Sequence, residues 1–246
     1  MKIIGVIPAR YKSTRFPGKP LADINGKPMI WWVYQQAVKV SEIDEVYVAT
    51  DDVRIYDTVE AFGGKAIMTS DKHLTGTDRV AEAALKTNGT LYVNIQGDEP
   101  IIKSETISQA IATVTDESNY FGTLAVELSD QEEINSPHNV KIVIDSQNYA
   151  VYFSRSPIPS NIKGYKGKVY KHLGIYVYRK GFLLDFTNMK PTDLELSESI
   201  EPLRAIVNGY KIKVGISEQD SIGVDTYDDL ERVRNILSTN KNIDTI

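Results

Sequence analysis

Four short apolar runs, the last three alternating with stretches of helical period, limit what this chain can fold into more than any other feature. Residues 3–7, 45–50, 65–70 and 90–96 read as short strands, the first of them a buried parallel one. Between them, residues 28–40 place apolar side chains at 30, 33, 37 and 40. Residues 53–62 and 77–86 continue the helical pattern, and Gly63-Gly64 closes the earlier of these two. Strands alternating with helices at this spacing build right-handed βαβ units, so the expected fold class is α/β, with a mostly parallel mixed sheet and helices on both faces. Past residue 120 the rhythm changes. Residues 122–128, 141–145, 150–154 and 174–179 read as strands without regular helices between them, which predicts a smaller subregion, around 120–210, within a single domain spanning 1–246. Helical patterns return at 199–208 and 227–237, on either side of a strand at 211–216. Residues 161–168 read as an exposed loop that could act as a lid, and the tail after Ser238 as frayed.

The first strand ends at Pro8 in a loop that holds Arg10, Lys12, Arg15 and Lys19 among Ser13, Thr14, Gly18 and further prolines. Open α/β sheets bind ligands outside the carboxyl ends of their strands. Guanidinium forks there suit bidentate phosphate contacts and a lysine adds a point charge, although a solvated basic loop is the plainer alternative. The formal net charge is −5 over 246 residues, so any anion site is local; a general nucleic-acid or anionic-membrane surface is not expected. With no cysteine, disulfides, thiolate metal sites and cysteine nucleophiles are excluded. No stretch approaches the ~20 apolar residues of a membrane span, and a soluble, cytoplasmic protein is the expectation.

Two carboxylates stand at strand ends, Asp98 in Ile95-Gln96-Gly97-Asp98-Glu99-Pro100 and Asp225 in Gly223-Val224-Asp225-Thr226. Converging with the basic loop they would hold Mg²⁺, which takes one or two carboxylates, waters and substrate phosphates. Asp225 could instead cap the last helix, as could Thr226 with Asp229 three residues on. Residues 72–79 carry Thr75, Gly76, Thr77 and Arg79 at a helix start, where backbone N–H groups suit an anion or a base edge, although from the residues alone ordinary capping by Thr75 or Thr77 is the favoured reading. No P-loop, GxGxxG or GxSxG pattern occurs, and His73, His138 and His172 lack metal-ligand spacing, which disfavours a P-loop NTPase and a standard dehydrogenase.

These segments resemble the 3-deoxy-manno-octulosonate cytidylyltransferase family. IPARYKSTRFPGKPL, ATDD, FGGKAIMTS, GTDRVAEA, VNIQGDEP, NVKIVID, VYFSRSPIP, YKHLGIYVYR, ESIEPLR and GVDTYDDLERVR follow the family's order from Ile4 to Arg234. The resemblance implies a nucleotide-diphospho-sugar transferase (Rossmann-like) fold and a homodimer. It also implies Mg²⁺-dependent transfer of CMP from CTP to a 2-keto-3-deoxy sugar acid, serving bacterial lipopolysaccharide or capsule synthesis. By matching segment, Arg10, Ser13, Arg15 and Lys19 would hold the triphosphate, with Lys19 and Arg15 stabilising the leaving pyrophosphate. Gly76, Thr77 and Arg79 would line the cytidine pocket, and Asp98 and Asp225 would be the Mg²⁺ ligands. Gln96, Arg155, His172, Tyr176, Glu198 and Arg204 would surround the sugar acid. Pro202, Leu74-Thr75, Ile222 and Trp31-Trp32 depart from the family pattern; Pro202 lies toward the acceptor side and leaves open activation of a related acid, such as the 8-amino analogue, a sialic-acid-like sugar or a phosphonate. A non-catalytic nucleotide-binding regulator is the alternative of another class.

Overall fold

The computed structural model describes residues 1–12, 16–160, 162, 164 and 167–239. Ser13 and Arg15 lie outside the described residues, as do much of the expected lid loop and most of the tail. The chain divides into two compact units, Met1–Ser108 with Ser221–Ile246, and Gln109–Asp220.

The first unit begins with β1 (Ile3–Ala9), a single 3-10 turn (Lys19–Leu21), the two-residue strands β2 (Asp23–Ile24) and β3 (Lys27–Pro28), and α1 (Met29–Val38). Then come β4 (Glu45–Thr50), α2 (Val53–Ala61), β5 (Ala66–Met68), α3 (Gly76–Lys86) and β6 (Leu91–Asn94); α4 (Ser104–Ala112) runs across the boundary at Ser108. Its sheet is wholly parallel in the order β6-β1-β4-β5. Ile4, Val6 and Ile7 of β1 are fully buried, each stabilising the fold by roughly 1.5–3 kcal/mol. The helices start where local chemistry starts them. Asp52 accepts the Arg54 N–H at the head of α2, and Thr75 and Asp78 form a reciprocal capping box on α3. Strands β4 and β5 follow β1 outward in one direction, whereas β6 lies on its other side. The winding therefore reverses at β1, and the carboxyl ends of β1 and β6 flank the crevice that this reversal opens.

The second unit holds β7 (Phe121–Leu128), α5 (Gln131–Asn135), β8 (Lys141–Ile144), β9 (Ala150–Ser154), β10 (Val169–Arg179), α6 (Lys180–Asn188), α7 (Asp193–Glu198), α8 (Leu203–Val207) and β11 (Lys213–Ser217). Its strands run β11-β7-β10-β8-β9; β11 pairs with β7 in parallel and the other pairs are antiparallel. The helix expected over 199–208 is broken. Thr192 and Glu195 start α7 with a capping box, Ser199 ends it in the left-handed region at φ 53°, and Pro202 heads the separate α8. The C-terminal helix (Tyr227–Thr239) belongs to the first unit. Its Leu230 and Val233 share a core cluster with Phe16, Ile24, Met29 and Val224, and Trp32 packs against that cluster.

Candidate active site

The connection after β6 returns to the end of β1. Gly97 lies so close to it that a Cβ there would stand 3.0 Å from the Pro8 carbonyl oxygen. The backbone N–H of Val224 donates to the Asp98 carbonyl at 2.8 Å, and the Ser221 hydroxyl donates to Glu99 at 2.5 Å. These bonds bring together two segments more than a hundred residues apart in sequence. The reciprocal cap at the head of the C-terminal helix is made by Thr226 and Asp229, and Asp229 also accepts the Asp225 N–H at 3.0 Å. Burial alone would raise the Asp229 carboxyl, but the Thr226 hydroxyl and these N–H groups hold it below the usual range. The Asp225 carboxylate is thereby turned to another partner.

That partner is Lys19. Its ammonium donates to Asp98 Oδ2 at 2.6 Å and to the Val224 carbonyl at 2.8 Å, and stands 3.3 Å from Asp225 Oδ1. The two carboxylates thus converge on one cation. Among the described residues no third Asp, Glu, His or Cys completes a metal cluster with them. Two carboxylate oxygens aimed at one point charge fit Mg²⁺, which fills its remaining positions with waters and phosphate oxygens.

The other expected nucleotide residues are placed unevenly. Arg10 is exposed just past β1, and Gly76 opens α3 with its backbone exposed, whereas Thr77 is buried. Arg79 is 4 % exposed and works from within. It donates to the Thr69 hydroxyl and, at 3.4 Å, to the Ser70 carbonyl, and its other terminal nitrogen stands 3.4 Å from Asp51. Desolvation lowers its pKa, while Asp51 and Glu82 oppose that shift. Its position braces the strand that leads into the 70–75 loop. Glu82, which the sequence reading passed over, pins the same loop by accepting the Ser70 N–H at 2.8 Å and by pairing with His73 Nε2 at 2.5 Å.

In the second unit, a bulge in β10 shapes the neighbourhood of His172 and Tyr176. Leu173 pairs with Leu124 and Tyr176 with Thr123, so two extra residues are looped out. Residues four apart on a regular strand are ~13 Å apart, yet here the two rings lie 5.4 Å from each other. Thr123 fills the bulge: its hydroxyl donates to the Ile175 carbonyl at 2.8 Å and lies 3.0 Å from His172 Nε2. With the hydroxyl proton committed to a carbonyl, Nε2 is assigned as the donor. Burial drives the His172 pKa down to about 3.

Glu198 accepts the Arg155 N–H at 2.9 Å and the Ser154 hydroxyl at 2.7 Å. The Arg155 guanidinium donates to three carbonyls, those of Glu198, Pro137 and Ser199. Arg155 therefore organises the ground around Glu198. Beneath it, Lys141 is fully buried and donates to the carbonyls of Ser136, Asn139 and Arg155. Arg204 is buried in a two-point ion pair with Glu195, at 2.8 and 2.5 Å. Its guanidinium thus holds α7 to α8. Gln96, half-buried in the first unit, donates to Asn94 Oδ1 at 3.4 Å.

Residues 4–212 match the family model described as cytidylyltransferase. Among curated relatives, the 3-deoxy-manno-octulosonate cytidylyltransferase of Thermodesulfovibrio yellowstonii is 50% identical, covering 97% of this chain and 99% of its own. That of Fusobacterium nucleatum is 49% identical, covering 98% of each. Among solved structures, CMP:2-keto-3-deoxy-manno-octonic acid synthetase complexed with CTP is 42% identical with a TM-score of 0.94, covering 97% of this chain and 99% of that one. The 4-diphosphocytidyl-2C-methyl-D-erythritol synthase of Anaerococcus prevotii has a TM-score of 0.64 at 18% identity and covers 96% and 99%, which speaks for the shared fold alone. Matched along nearly its whole length, the chain belongs to the 3-deoxy-manno-octulosonate cytidylyltransferase family.

Proposed function

We propose that this protein transfers CMP from CTP to 3-deoxy-manno-octulosonate, releasing pyrophosphate. The observation that carries the reading is the Lys19 ammonium held between Asp98 and Asp225 at the end of β1. The oxygen of the sugar acid's anomeric hydroxyl attacks the α-phosphorus and gives up its proton to solvent, the bond from the α-phosphorus to the oxygen that bridges it to the β-phosphate breaks, and pyrophosphate leaves with that electron pair. The protein positions the reactants and stabilises charge, and no side-chain base is assigned. Asp98 and Asp225 would hold Mg²⁺, which when bound neutralises phosphate charge and lowers the pKa of a coordinated hydroxyl. Lys19, together with Arg15, would meet the charge building on the leaving pyrophosphate. Arg10 and Ser13 complete the triphosphate contacts in this reading. Gly76 and Thr77 face the cytidine, with Arg79 bracing their loop from behind.

For the acceptor we assign Gln96, His172, Tyr176 and Glu198 as contacts, with neutral His172 a hydrogen-bonding group and not a charge. Arg155 keeps Glu198 in place and Arg204 keeps α7 in place. A homodimer, a cytoplasmic setting and a role in bacterial surface polysaccharide synthesis, lipopolysaccharide or capsule, belong to the same proposal. The test is pyrophosphate release from CTP and Mg²⁺ across a panel of sugar acids that includes the 8-amino analogue and sialic acids. Release only with 3-deoxy-manno-octulosonate supports the reading. Release only with another acid reassigns the acceptor, and CTP binding without release from any acid sinks the catalytic reading.

A further inference from the structure

Lys19 reaches its two carboxylates from a turn whose geometry is set outside the site. Gly18 donates its N–H to the Tyr11 carbonyl at 2.9 Å, and its own carbonyl accepts from Leu21 at 2.8 Å, so the Tyr11–Gly18 closure fixes the point from which Lys19 emerges. Gly18 sits at φ 73°, and a Cβ on it would stand 3.1 Å from the Tyr11 ring. Only glycine gives both the left-handed turn and the close ring. The ring has a second neighbour: the Arg54 guanidinium carbon lies 3.3 Å from its centroid. Arg54 is in turn gripped by Asp52, Nε to Oδ1 at 2.8 Å and a terminal nitrogen to Oδ2 at 2.6 Å. Asp52 also caps α2, which is anchored by fully buried Ile55 and Val59. Four of these links run in series from a rigid helix to Lys19: carboxylate, guanidinium, ring and turn. More than half of the Arg54 side chain is exposed, so core packing does not account for its placement.

We propose that Arg54 and Tyr11, aligned by Asp52, form a strut that holds the Lys19 turn in its nucleotide-binding arrangement before CTP arrives. They are positioning residues, and the proposal rests on the nucleotide reading above. A guanidinium stacked on an aromatic face is attracted by the ring's quadrupole, and the two-point grip of Asp52 keeps its plane in register. Without the strut the turn samples other arrangements, and the apparent affinity for CTP falls with the competent fraction.

Calorimetric titration of CTP with Mg²⁺ into the full chain tests this. Arg54→Ala and Tyr11→Leu should each weaken CTP binding by about fivefold, which corresponds to ~1 kcal/mol. The double variant should lose no more than either single one, because both break the same link. In turnover the loss should fall on KM for CTP and not on kcat, and Tyr11→Phe, which keeps the ring, should bind like the parent. Unchanged affinity in the single variants overturns the strut, as does a multiplicative loss in the double variant. So does a loss confined to Arg54→Ala, which would make Arg54 a direct phosphate contact. Lower binding stoichiometry at unchanged affinity would mark lost folded protein and also overturn it. Failure of the parent chain itself to bind CTP would sink the nucleotide reading, and the strut with it.

Discussion

His172→Gln gives the sharpest test of the second unit, because the structure sets both its sign and its size. The imidazole is buried against Phe153 and Tyr176, and burial takes its pKa to about 3. An unfolded histidine titrates near ~6.5. Below that pH the unfolded chain binds a proton that the native chain refuses, so acid drains stability, fully by the folded-state value. The drain is about 1.4 kcal/mol per pH unit once the unfolded histidine is charged, or about 2 kcal/mol between roughly pH 6 and pH 4.5. Glutamine can still donate to Thr123 but does not titrate. Denaturant unfolding of both proteins at the two pH values isolates the effect, because the carboxylates titrate alike in each. Whatever constant penalty the substitution carries, the stability difference should move by about 2 kcal/mol in favour of the variant on acidification. A difference that stays within about 0.5 kcal/mol would mean that the native imidazole takes up a proton and that the buried, neutral Nε2–H donor is wrong. A neutral His172 also predicts no limb from this residue near its ordinary pKa in the pH profile of kcat/KM.

The remaining expectations test other parts of the argument. Lys19→Ala and Asp98→Asn should each lower turnover by roughly 10²-fold or more with the fold intact, the scale of losing one transition-state donor; near-parental turnover at saturating Mg²⁺ would remove that residue from the mechanism. Arg204→Met leaves Glu195 buried without its partner and should cost about 3–5 kcal/mol in denaturant unfolding, whereas a contact made only to substrate would leave stability unchanged. Desolvation pushes the Glu82 carboxyl up, but Lys86, the Ser70 N–H and His73 outweigh it and take it to about 2. That folded value lies below the unfolded one, so Glu82 contributes stability above about pH 4.3 that is lost as pH falls toward 2. The melting temperatures of parent and Glu82→Gln should therefore converge over that window, and a constant gap would contradict the pairing.

How much of this was legible in sequence depended on whether the signal was local. The strands of the first unit follow from short apolar runs, and β4 matches its expected bounds. Asp98 follows β6 as expected, but Asp225 stands at no strand end: residues 218–226 carry no strand, and the Val224 N–H on the Asp98 carbonyl, a contact with no local sign in sequence, brings it to the site. Helix α4 has no counterpart among the expected elements although Ile107, Ala110 and Ile111 have helical spacing; the β-branched Thr106, Ile107, Ile111 and Thr113 weaken the helical signal there. The broken 199–208 helix had a local sign in Pro202, read there as a family departure and not as a helix boundary. The bulge in β10 had only Gly174 to announce it.

Cations are where sequence reasoning reached its physical limit, and burial supplies what it lacked. Arg79, Arg155, Arg204 and Lys19 look equally suited to an anionic ligand when only residue type and loop position are known. In the fold they separate by what already surrounds them. Arg204 and Arg79 are 4 % exposed and face carboxylates and backbone oxygens, and Arg155 spends its fork on three carbonyls. Removing such a group from its partners exposes buried acceptors, at about 1–3 kcal/mol for each oxygen left unsatisfied. An incoming sugar carboxylate must better that before it gains anything. Lys19 differs in kind. It donates to the Asp98 and Asp225 carboxylates and to the Val224 carbonyl; under the proposed function a divalent cation would take over the carboxylates, so releasing the ammonium toward a phosphate would leave one carbonyl but no charge unpaired. A ligand-binding cation is thus recognised less by its own charge than by whether its resting partners would have a replacement, and under the proposed function Lys19 is the one of these four whose carboxylates a metal ion would satisfy.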